Sequence, residues 1–87
     1  MFAEWLVEGA RVRLLEYRTP VDELKITRFD SGEMEAESEQ LHPGLKTEFL
    51  FVPRYEGWKV VTEGLGGERG YAQSSPTYAL EPIEEPS

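Results

Sequence analysis

The chain has 87 residues, no cysteine, one histidine and a net charge of −8 from seventeen acidic and nine basic side chains. That length allows one domain near the lower limit of autonomous folding, stabilised by its core alone unless a homo-oligomer helps. Disulfides and cysteine-ligated metals are excluded, and the charge opposes nucleic-acid phosphates while suiting a basic protein partner.

"EWLVEGARVRLLEY" opens the chain, and Arg11 and Arg13 alternate with Val12 and Leu14, which is a strand period. Trp5, Leu6 and Val7 fit either a preceding strand or one helical turn. "YRTPVDE" breaks the pattern, because Pro20 fixes its own backbone and restricts Thr19. "LKITRF" resumes the alternation with β-formers.

"SGEMEAESEQ" then places glutamate at every second position, Glu33, Glu35, Glu37 and Glu39. A hairpin around Asp30-Ser31-Gly32 gathers Leu24, Ile26, Met34 and Ala36 on one face. A three-residue loop with glycine in the left-handed position pairs Phe29 with Glu33, Arg28 with Met34, Thr27 with Glu35, Ile26 with Ala36, Lys25 with Glu37 and Leu24 with Ser38. A one-residue slip would set Ile26 against Glu37. The alternative is an α+β fold with a helix over 33–41, for which Asp30 and Glu33 have capping-box spacing. Like-charge pairs at i,i+4 and a thin apolar stripe weigh against that helix.

"LHPGL" is a turn, and "LKTEFLFV" reads as a strand covered on both faces. Pro53 ends it, "RYEGW" turns, and "WKVVTE" returns. "GLGGERG" is a loop, and "YAQS" and "TYALEP" are candidate last strands. Val12, Leu14, Ile26, Phe49, Phe51 and Val61 are the expected core. The whole reads as an all-β single domain over 1–80, a small barrel or sandwich of about five to seven mostly antiparallel strands. Residues 81–87 read as a flexible acidic tail. "VEGARVRLLEY" resembles the opening strand of SH3-like small barrels, and "ITRFDSGEMEA" resembles the central hairpin of Tudor-like ones. The resemblance implies a binding module and transfers no functional residue.

Sites are sparse. The glutamate ladder points outward in parallel and does not converge as calcium requires. "GLGGERG" fits neither the dinucleotide nor the Walker spacing. His42 lacks a recognisable nucleophile, so no catalytic residue, metal or cofactor is expected. The aromatics of the C-terminal half are the better candidates. Tyr55, Trp58, Tyr71 and Tyr78, with Arg54, form the expected partner-binding group, flanked electrostatically by Glu35 and Glu37. The leading reading is therefore a non-catalytic module that binds another protein. Its alternative is an acidic inhibitor that imitates nucleic acid; a small enzyme and a single-strand binder rank below both. No signal peptide and no membrane-length apolar run is visible, so a cytoplasmic location is expected. Absence of asparagine, with glutamate and arginine in excess, matches thermophilic composition.

Overall fold

The computed structural model describes residues 2–61 and 78–83. Among the described residues there are six antiparallel strands: β1 (Arg11–Glu16), β2 (Thr19–Asp30), β3 (Glu33–Ser38), β4 (Lys46–Val52), β5 (Gly57–Val60) and β6 (Ala79–Pro82). They form one sheet in the order β5-β4-β3-β2-β1-β6. The first five run as a meander, each joined to the next by a turn, and β6 returns to the free edge of β1. The two outer strands then meet. Trp58 and Tyr78 form an antiparallel bridge, Trp58 donating to the Tyr78 carbonyl at 2.7 Å and Tyr78 to the Trp58 carbonyl at 2.6 Å. The sheet thereby closes into a barrel rather than splitting into a sandwich.

Alternation sends Val12, Leu14, Leu24, Ile26, Met34, Ala36, Phe49, Trp58 and Val60 inward, joined by Tyr78 and Leu6. The interior is graded along the barrel. At the end where β2 and β4 finish, Phe29, Phe51 and Trp58 surround Phe2 of the N-terminal segment, whose ring meets those of Phe29 and Phe51 edge-on at 5.3 and 5.0 Å. At the other end lie the buried polar residues Asp22, Ser38 and Thr47.

The central hairpin shows what sequence alternation can and cannot fix. Leu24 pairs with Ser38, Lys25 with Glu37 and Ile26 with Ala36, as expected. Beyond Ile26 the register shifts, and Arg28 lies opposite Glu35, Phe29 opposite Met34 and Asp30 opposite Glu33. Thr27 is the extra residue of a β-bulge. The loop is consequently two residues, Ser31-Gly32, both at positive φ, rather than three. The physical reason is the face of Phe29. Without the bulge its ring would point outward with Lys25; with it, Phe29 shares the inner face with Ile26 and Met34. The helix over 33–41 does not form, since β3 occupies most of that stretch.

Other expectations shift similarly. Trp5, Leu6 and Val7 lie in turns and bends, not in a strand. β2 passes through "TPVDE" unbroken, because a second bulge at Val21 accommodates Pro20, which has no N–H to offer. β4 is covered on one face only, with Leu50 at the surface. Val61 is 49% exposed, and Val60 takes the core position instead. Phe51 packs against the core but is only partly buried. β6 includes Glu81 and Pro82, two residues of the segment read as a tail. The stretch "YAQS" and the remaining tail, 84–87, lie outside the described residues.

These assignments have measurable consequences. Phe49→Ala should cost about 3–5 kcal/mol in urea denaturation, whereas Val61→Ala should stay within about 0.5 kcal/mol. Gly32 sits at φ 106° with open space where a Cβ would stand, so its constraint is backbone rather than packing. Gly32→Val should therefore cost roughly 1–2 kcal/mol, measured the same way.

Candidate functional site

The outer face of the barrel is a lattice of opposite charges. Glu37 lies between Lys25 on β2 and Lys46 on β4. Glu35 accepts a hydrogen bond from the Thr27 hydroxyl at 2.8 Å, so the bulge residue holds the carboxylate that the sheet places beside it. Glu48, directly opposite Glu35, is held by Arg28 at 3.2 Å. Arg11, opposite Lys25, turns instead to Glu39 at 2.9 Å and Glu23 at 3.7 Å. Arg13 pairs with Glu81 across β1 and β6. Each such exposed pair contributes at most about 1 kcal/mol; within the glutamate ladder Glu39 is ion-paired, Glu35 is held by Thr27 and Glu37 stands between two lysines. Among the described residues, no three His, Asp or Glu side chains are grouped to hold a metal ion.

Asp22 is structural. Its Oδ1 accepts from the amides of Glu23, Gln40 and Leu41 at 2.7, 3.2 and 2.9 Å, and its Oδ2 accepts from the Ser38 hydroxyl at 2.6 Å. Ser38 Oγ accepts in turn from the His42 amide at 2.9 Å. One buried carboxylate thus pins the β3–β4 connection. His42 enters that network through its backbone. Ser38 is buried and bonded to the carboxylate, which leaves no approach for a substrate.

The expected aromatic group divides. Trp58 and Tyr78 are 4% and 3% exposed and form the closure of the barrel, so they cannot act as surface anchors. Tyr71 lies outside the described residues. Tyr55 is 64% exposed at the tip of the β4–β5 turn, with the Arg54 guanidinium 5.8 Å from its ring centroid. Its neighbour across the seam is a residue that sequence reasoning passed over. Tyr17 is 76% exposed, and with Leu15, Arg18, Tyr55, Glu56, Gly57, Tyr78 and Ala79 it lines one open groove of about 270 Å³.

Closure explains the meeting. Ala79 pairs with Leu15 on one side, while the adjacent Tyr78 bridges to Trp58 on the other. The β1–β2 turn follows Leu15, and the β4–β5 turn precedes Trp58, so the returning strand draws the two turns together. Both turns are strained. Tyr17 and Arg18 have φ of 52° and 67°, and Glu56 has 52°. A two-residue hairpin with both centres at positive φ favours Asn-Gly. Tyr-Arg there sacrifices stability at a cost of about 1 kcal/mol or more per residue.

Compared with protein-family models, curated proteins and solved structures, the chain matches none. No described helix is long and apolar enough to cross a membrane.

Two measurements test the geometry. Asp22→Ala strands the buried Ser38 hydroxyl and removes the acceptor of three part-buried amides, and should lower unfolding free energy by about 3 kcal/mol. Replacing Tyr17-Arg18 by Asn-Gly should raise it by roughly 1 kcal/mol, read as an increased denaturation midpoint at unchanged m-value.

Proposed function

We propose that the chain is a non-catalytic β-module that binds another protein through the groove between Tyr17 and Tyr55. One observation carries this reading: two exposed tyrosines, contributed by turns distant in sequence, line the same groove. Tyrosine presents a large amphipathic surface at small entropic cost, which suits it to anchor an interface. Strain supports the same reading. The β1–β2 turn holds residues that its geometry disfavours, and backbone outliers of this kind concentrate at functional sites. The open shape of the groove suits a segment of a partner chain better than an enclosed small molecule.

The alternative, an acidic mimic of nucleic acid, draws less support. Its carboxylates would have to meet a basic cleft, yet those of Glu39, Glu48 and Glu81 are paired with arginines and Glu35 is held by Thr27. Exchanging those partners for others gains little net electrostatic energy.

The test is kinetic, against a partner captured from the native cell extract and then purified. Tyr55→Ala and Tyr17→Ala should each weaken binding by about 2 kcal/mol, mainly through faster dissociation. Glu35→Gln with Glu37→Gln should leave affinity within about 0.5 kcal/mol and alter chiefly the salt dependence of association. Loss of binding in the glutamine variant, with the tyrosine variants unaffected, would transfer the function to the glutamate face.

A further inference from the structure

We propose that the occupant of this groove is an acidic segment of the partner, rich in aspartate or glutamate, gripped by the guanidinium groups of Arg18 and Arg54. The proposal rests on the reading of the groove as the binding site and adds the chemistry of what enters it.

Charge complementarity favours this occupant. Arg11, Arg13 and Arg28 are spent on carboxylates of the barrel itself. Among the described residues, neither Arg18 nor Arg54 has a carboxylate within ion-pair distance. Arg18 lines the groove, and Arg54 lies against the ring of Tyr55 beside it. Among the described residues the lining itself carries one arginine, Arg18, and one carboxylate, Glu56, and Arg54 beside it adds a second guanidinium to a chain that is otherwise net negative.

The Arg54 guanidinium lies over the Tyr55 ring, 5.8 Å from its centroid. A guanidinium near an aromatic face is attracted to the ring without spending its N–H donors, which a carboxylate can meet in bidentate fashion. The same contact discourages a cationic occupant, because Tyr55 already has a cation near its ring.

The extent of charge distinguishes an acidic peptide from a nucleic acid at this groove. Tyrosines and arginines together also suit bases and phosphates. A nucleic-acid strand, however, carries charge along its whole length and would run over the acidic surface beyond the groove. A short acidic segment confines its charge to the arginines.

The experiment selects short random peptides on the immobilised full chain, synthesises the enriched sequences, and titrates them alongside a short oligouridine. Enriched peptides should carry clustered Asp or Glu. Arg18→Gln combined with Arg54→Gln should weaken them roughly tenfold or more, with thermal midpoint nearly unchanged. Lysine at both positions should restore part of the loss, because charge returns without the planar fork. Peptides that lose binding on Tyr17→Ala or Tyr55→Ala but lack acidic residues would overturn the charge proposal and leave the groove standing. Acidic peptides indifferent to the arginine variants would also overturn it. Oligouridine bound more tightly than every peptide, through the same arginines, would replace the protein segment by nucleic acid. Absence of any peptide sensitive to the tyrosines would overturn both readings.

Discussion

The pair of hydrogen bonds between Trp58 and Tyr78 is the contact on which the rest of this fold depends. A five-stranded meander with one returning strand leaves two open edges, and open edges invite pairing with other chains. The bridge joins those edges at one residue pair. The two side chains at that pair are among the largest in the core, so hydrogen bonding and apolar burial act at the same point. Closure also gives the interior its two ends. Phe2 seals the aromatic end from the N-terminal segment, and Asp22 seals the polar end by holding the chain after β3. The groove between Tyr17 and Tyr55 is a product of the same event, because neither turn lies near the other along the meander.

Much of this was legible in the sequence wherever side chains alternate without interruption. Lys25 against Glu37 and Ile26 against Ala36 follow from the demand that one face be apolar and the other charged. The reading failed at Thr27, and the cue was present. Leu24 and Ile26 have even positions and Phe29 an odd one, so an unbulged strand would have exposed the largest ring of the segment. Strict alternation treated the aromatic residue as the strand's end; the structure bends the strand to recover it. Val60 and Val61 posed a choice that local pattern could not make. Adjacent valines differ only in parity, and parity is set where Gly57 and Trp58 leave the turn.

The candidate site was legible only in part, and the reason is topological. Tyr55 and Trp58 flank one turn and look equivalent as letters. Trp58 is buried because a strand from the far end of the chain pairs with it, and nothing near residue 58 announces that strand. Tyr17 was hidden for a different reason. The hairpin signal that would have located its turn is Asn-Gly or a relative, and the chain has Tyr-Arg. Pro20, three residues on, looked like the end of a strand when it is the start of a bulged one.

A surface with a binding role must offer groups that gain by meeting something else. The outer face of β1 to β4 offers few, since its arginines reach carboxylates on neighbouring strands and Thr27 holds Glu35. Replacing such contacts with those of a partner exchanges like for like. The aromatic end is filled by Phe2, and the polar end by the Asp22 network. The seam is different in kind. There the fold accepts left-handed backbone at Tyr17, Arg18 and Glu56, presents two tyrosine rings to solvent, and leaves two guanidinium groups without a carboxylate among the described residues. Strain, exposed aromatic area and uncompensated charge are each unfavourable for an isolated domain. All three coincide along one groove, and a partner that covered the rings and paired the guanidinium groups would relieve two of them, which is why the binding proposal is placed there.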